Sequence, residues 1–277
     1  MKSGGRLKIK TALISVSDKS NLDKLVIFLA KNDVDIFSTG GTSDYIKSLG
    51  IPVSQISDIT KFPEMMGGRV KTINPLIYGG ILNRENIDDE VQKEYGMVNL
   101  DLMVVNLYPF EETICKKNVD EKEVIENIDI GGPSMIRATA KNFKSKAIIT
   151  DPTDYDNFIT ELEKNKCSVS NLTRRELAIK AFRKTAMYDS TIHEYFSDSF
   201  DNKATSDQLP IGLRKISSLR YGENPHQSAA LYTSGNKDSG LANATIHQGK
   251  ELSYNNFLDA NTAMRCVMEF DQPACVI

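Results

Sequence analysis

The run Gly67-Gly68-Arg69-Val70-Lys71-Thr72-Ile73-Asn74-Pro75 gathers more ligand-holding chemistry than any other stretch of the chain. Two glycines let backbone approach a ligand closely, and a guanidinium, an ammonium and a hydroxyl follow. Such a loop suits an anionic or strongly polar molecule, and Pro75 is expected to end any regular element. A solvated turn with two incidental cations has the same composition, so the neighbouring motifs must decide.

Two further loops carry phosphate-type chemistry. Ser15, Ser17 and Lys19 follow an apolar run, and Ser38-Thr39-Gly40-Gly41-Thr42 follows a second one. Hydroxyls with glycines at a strand-to-helix turn can cradle a phosphate, although the pattern is neither a Walker A loop nor GxGxxG. Asn106 and Tyr108 end another apolar run before Pro109. Asp129-Ile130-Gly131-Gly132-Pro133 places a carboxylate ahead of a helix that runs on to Lys141, with Pro133 expected at its first position.

Elements able to position these groups can be read from periodicity. Residues 11–16, 34–37, 101–105 and 147–150 are buried-strand runs, and 77–82 is expected to lead into another. Leu22, Leu25, Val26 and Leu29 have helical spacing, with Ser20 and Asp23 as a capping box. Residues 119–127 suggest a short helix, Thr173 to Glu176 a capping box opening a long one, and a last helix is expected after Asp259. Strand–loop–helix units in succession build a parallel sheet, which gathers ligands at the carboxyl ends of its strands. The polar stretch 198–208 marks a domain boundary, giving domains at 1–203 and 204–277.

Bulk composition narrows the class. Net charge is −3, from 34 Lys and Arg against 37 Asp and Glu, which provides no broad basic field for nucleic acid. The four cysteines and three histidines are widely spaced and lack structural-zinc or disulfide-framework patterns. No apolar run reaches membrane-spanning length. A reduced, cytoplasmic protein with no metal is the expectation.

The segments SVSDKS, STGGT, GGRVKTINP, NLYPF, DIGGPSMIRATAKN, RYGENPHQ and GKELSYNN occur together and in order. In this the chain resembles, over nearly its whole length, the bifunctional purine-biosynthesis family that joins IMP cyclohydrolase to AICAR formyltransferase. The resemblance implies an α/β fold: a methylglyoxal-synthase-like parallel sheet flanked by helices, then the truncated start of a second α/β formyltransferase domain. It implies closure of the purine ring of formyl-AICAR, with loss of water, to give IMP, and no cofactor for that step. Ser15, Ser17, Lys19, Ser38, Thr39, Gly40, Gly41 and Thr42 would take the 5′-phosphate. Arg69 and Thr72 would hold the base, with Asn106, Ile130, Gly131 and Gly132 completing the substrate site. Lys71, Tyr108, Asp129 and Lys141 would be catalytic, with Lys141 beside Asp129 as a proton-transfer pair.

Arg220, Tyr221, His226 and Asn256 match formyltransferase residues that help hold AICAR, with 10-formyltetrahydrofolate as cosubstrate. The family's Lys-His-Ala-Asn-Pro-Cys-Gly segment lies beyond Ile277, so formyl transfer is expected to be lost, and the full-length protein is expected to be a homodimer. Asn74, Leu76 and Tyr78 replace the usual His, Lys and His. Asn74 cannot exchange a proton near neutrality, which puts a proton relay there in doubt. Two alternatives carry other predictions. A methylglyoxal-synthase-type phosphate lyase would keep its carboxylates close to the phosphate loops, and a nucleotide-sensing domain would bind without turnover.

Overall fold

A computed structural model of the chain describes residues 5–63, 65–200, 207–234 and 240–277. The expected boundary at 203 lies outside them. The chain divides into two compact units, Met1–Ile192 and His193–Ile277. No helix among the described residues is long and apolar enough to cross a membrane.

The strands, in chain order, are β1 (Leu7–Lys8), β2 (Thr11–Ser15), β3 (Asp35–Ser38), β4 (Ser54–Gln55), β5 (Leu102–Val105), β6 (Ala147–Ile149) and β7 (Ser168–Val169) in the first unit. β2 to β6 form one parallel sheet in the order β4-β3-β2-β5-β6, while β1 pairs antiparallel with β7. Every residue of β5 and β6 is buried, which is why these strands read as unbroken apolar runs. The chain first winds outward from β2 to β4 and then resumes on the other side with β5. That reversal opens a crevice at the carboxyl ends of β2 and β5.

Helices pack around this sheet: α1 (Leu22–Lys31), α2 (Gly40–Ser48), α3 (Ile56–Thr60), α4 (Pro75–Leu82), α5 (Asp89–Glu94), α6 (Phe110–Ile114), α7 (Glu121–Glu126), α8 (Gly131–Lys141), α9 (Tyr155–Lys164) and α10 (Asn171–Phe200). α1 buries Leu22, Leu25, Val26 and Leu29, the face its spacing predicts. Arg174, 2% exposed, ties α10 to the body by donating to the carbonyls of Gly5, Phe143, Lys144 and Val169. A guanidinium is suited to this, because its fork of donors can satisfy several carbonyls at once.

Several local expectations are corrected. Pro75 opens α4 rather than closing an element: Asn74 Oδ1 accepts from the Leu76 N–H at 2.9 Å, and proline is tolerated where no intrahelical donor is needed. Residues 77–82 are therefore helical. Asn21, not Ser20, precedes α1, and Asp18 rather than Asp23 bonds the Ser20 N–H, at 2.9 Å. Ser170 accepts from the Thr173 N–H at 3.2 Å, so α10 starts before Thr173. Pro133 is the third residue of α8 rather than the first.

In the second unit, β8 (Arg214–Leu219) pairs antiparallel with β9 (Ala229–Thr233). α11 (Tyr254–Val267) begins ahead of Asp259, because Ser253 and Asn256 form a reciprocal capping box. The apolar ending 274–277 forms no strand.

Candidate functional site

A cleft of about 680 Å³ opens at the carboxyl ends of β2 and β5. Its walls bring together Ser15, Ser17, Lys19, Thr39, Gly41, Thr42, Arg69, Lys71, Thr72, Asn106, Tyr108, Asp129, Ile130, Gly131 and Gly132. These come from distant parts of the sequence, and sheet topology alone unites them.

On one side lies an anion cradle. Ser15 Oγ and Thr39 Oγ1 are 3.5 Å apart, and Thr39 makes no side-chain cap to α2, so its hydroxyl is not committed to the helix. Gly40 begins α2 with φ of +43°, a left-handed conformation that a side chain would strain, and the first N–H groups of that helix lack intrahelical partners. Together these donors and Lys19 suit a phosphate at a helix N-terminus.

Other members of the predicted set are structural supports. Ser38 is fully buried and donates to the Ile14 carbonyl at 2.7 Å. Thr42 Oγ1 donates to the Val16 carbonyl at 2.9 Å and accepts from its N–H at 3.1 Å, fastening the β2 loop to α2. Asn106 Oδ1 accepts from the N–H groups of Ser17 and Asp18, at 2.6 and 3.1 Å, and its amide donates back to the Asp18 carbonyl. Asn106 thereby shapes the loop that carries Lys19.

Across the cleft stands Asp129. Its Oδ1 accepts from the Gly132 N–H at 2.8 Å, and the Tyr108 N–H donates to the same carboxylate. A Cβ on residue 132 would collide with this carboxylate and with Leu107, so glycine is required there. Burial outweighs these two donors and the charge of Lys71, and pushes the Asp129 pKa above the usual carboxylate range. A carboxyl group whose charged form is disfavoured holds a proton more readily than a solvated carboxylate, which suits a group that accepts a proton and returns it. Tyr188, on α10, holds the turn beneath it. The hydroxyl accepts from the Asp129 N–H at 2.8 Å and donates to the Asn127 carbonyl at 3.2 Å. Burial raises the Tyr188 pKa to about 12, so it stays a neutral donor.

The placement of Lys141 corrects the expected pair. It is the last residue of α8 and exposed, while Asp129 precedes the first. Ten helical steps separate the ends by about 15 Å. Lys71 is the ammonium whose charge acts on Asp129. Tyr108 is 42% exposed, a rim residue and not a core aromatic. Asn74 and Tyr78 are not among the residues that line the cleft. Asn74 caps α4, and Tyr78 donates to Ser134 Oγ at 2.6 Å.

Sequence reasoning missed Tyr188 and Glu126. Tyr188 lies within a long helix, where nothing in its sequence neighbours marks a ligand site. Glu126 lines the cleft and pairs with Arg69: Arg69 Nε donates to Oε2 at 3.3 Å and Nη2 to Oε1. Nothing in a charged helical run singles out one glutamate.

In the second unit, Arg220 lies over the Tyr221 ring, 4.8 Å from its centroid, and donates to its hydroxyl at 3.1 Å. Bonds to Arg220 and Ser253 lower the Tyr221 pKa. Asn256 spends its side-chain oxygen on the Ser253 cap, and His226 is exposed on the turn at 224–227.

Comparison with known proteins agrees with this geometry. Residues 21–134 match the MGS-like domain, and residues 139–277 match the AICARFT/IMPCHase bienzyme family. The chain is 46% identical over 279 aligned residues to the bifunctional purine biosynthesis protein PurH of Xanthomonas oryzae pv. oryzae (strain PXO99A), covering 98% of this chain and 53% of that protein. PurH of Xanthomonas campestris pv. campestris (strain 8004) has the same identity and coverage, so the chain spans about half the length of these relatives. A crystal structure of ForH, 35% identical with a TM-score of 0.63, covers 69% of this chain and is itself 98% covered. With a phosphate-type cradle, a half-buried carboxylate and these matches in one sequence, the chain belongs to the AICARFT/IMPCHase bienzyme family.

Proposed function

We propose that this chain closes the purine ring of formyl-AICAR to give IMP. The observation that carries the reading is Asp129, desolvated and raised in pKa opposite Lys71, with the hydroxyl and helix-terminus cradle across the same cleft. The substrate is a nucleoside monophosphate, and its 5′-phosphate is assigned to Ser15, Ser17, Lys19, Thr39 and the start of α2. Arg69 and Thr72 are assigned to the base.

An amide nitrogen is a weak nucleophile, so the site must orient it and manage its protons. The carboxamide nitrogen forms a bond to the formyl carbon while the carbonyl electrons move onto oxygen. Asp129 takes the nitrogen's proton, and the Lys71 ammonium, near the carboxamide oxygen, polarises that group. Tyr108 handles the formyl end. The formyl oxygen then leaves as water with two protons, the one that Asp129 returns and the one that the formamide nitrogen gives up as its double bond to the former formyl carbon completes the ring.

The second unit is assigned to the opening of the AICAR formyltransferase half, whose formyl donor is 10-formyltetrahydrofolate. A methylglyoxal-synthase-type lyase leaves the match over residues 139–277 without explanation. The test is direct: the purified 277-residue chain, supplied with formyl-AICAR, is expected to produce IMP. A folded preparation that binds the nucleotide without forming IMP would overturn the reading in favour of a nucleotide sensor.

A further inference from the structure

We propose that Glu126 is a positioning residue for Arg69. Its carboxylate holds the Nε and Nη2 edge of the guanidinium, so that the Nη1 side is presented to the substrate. The proposal rests on the cyclohydrolase reading of the same cleft.

Four observations carry it. The contact is two-pronged, Nε to Oε2 and Nη2 to Oε1, which fixes the plane of the guanidinium as well as its place. Both residues line the cleft, although 57 positions separate them in sequence. The pair has little work to do for the fold, because its side chains are 64% and 46% exposed and such pairs contribute about 0–1 kcal/mol. Glu126 is also the last residue of α7, the end of a helix where a carboxylate is disfavoured. A glutamate in an unfavourable helix position, spanning to a cation in the ligand cleft, is explained by what it does to that cation.

A competing account is a plain charge effect, in which Glu126 merely offsets Lys19, Arg69 and Lys71 and weakens anion binding. A double-mutant cycle separates the two. Wild type, Glu126→Ala, Arg69→Ala and the double variant are compared in kcat and KM for formyl-AICAR and in Kd for IMP by calorimetry. Positioning predicts that Glu126→Ala loses about tenfold in kcat/KM, the order expected when a binding group is misplaced. It also predicts an unchanged Tm, partial rescue by Glu126→Gln, and no further loss when Arg69 is already Ala. Equal losses in both backgrounds would overturn it, as would tighter IMP binding in both. If wild type binds IMP without turning over, the cyclohydrolase reading fails by itself and the same cycle is read in Kd. Absence of IMP binding by folded wild type overturns both.

Discussion

A carboxylate whose charged form is disfavoured, held by two backbone donors, is a proton acceptor kept ready without being kept in water. Asp129 fits this description, since burial raises its pKa despite the N–H groups of Gly132 and Tyr108 and the charge of Lys71. Its protonated form cannot act as base, so activity is expected to fall as pH drops through a value above the ordinary carboxylate range. Asp129→Asn keeps an oxygen for the Gly132 N–H and removes the proton acceptor. It should lower kcat by about 10²–10⁴-fold, leave KM within a few-fold and abolish the acid limb of the pH profile. An unchanged profile in the variant would remove Asp129 from the chemistry. The reach of sequence reasoning at this scale follows from backbone context. Lys19, Lys71 and Asp129 stand beside glycines and strand ends, and those signals survive without a structure. Glu126 and Tyr188 act from the end of one helix and the face of another, where their neighbours give no hint of a ligand. Lys141 was associated with Asp129 by motif order, and a straight helix carries it away.

Among the elements, α4 illustrates what a sequence leaves ambiguous. The run Pro75–Leu82 is apolar around two glycines and equally suits a strand, so periodicity cannot arbitrate. Proline decides the matter only once its place is known: inside a helix it breaks, at the first turn it starts. The choice was legible in Asn74, whose side chain is suited to the cap position. β2, β5 and α1 were legible outright, because continuous burial and i, i+3, i+4, i+7 spacing have few other solutions. Asn74→Ala is expected to cost about 1 kcal/mol in urea unfolding, while Asn74→Asp or Asn74→Ser retains most of that stability. If Asn74→Ala unfolds at the wild-type urea midpoint, the cap contributes nothing and α4 is held by packing alone.

Across the whole first unit the two ends of the parallel sheet are treated differently. The carboxyl end is left open and lined with donors, whereas the amino end is sealed by side chains. Asp101 accepts from the N–H groups of Lys10 and Thr11 at 2.9 and 3.2 Å, and Thr11 Oγ1 accepts from the Asp101 N–H at 2.9 Å. Lys146, 1% exposed beside β6, donates to Asn99 Oδ1 in the same cluster. Burial dominates its titration and lowers the amine to about 8, against the favourable charges of Asp101 and Glu85. An unfolded lysine titrates near 10.4, so between those values the unfolded chain binds more protons than the folded one. Stability from this group must therefore rise with pH across that window, having been held down wherever the buried amine is charged. Lys146→Met removes the titration, although it leaves Asn99 without this donor. The difference in unfolding free energy between wild type and Lys146→Met should move by about 2 kcal/mol in favour of wild type from pH 7.5 to 9.5. Urea titrations at both pH values read that difference directly. A constant difference would mean that Lys146 is solvated enough to titrate alike in both states, and the amino end of the sheet would then be less sealed than its hydrogen bonds imply.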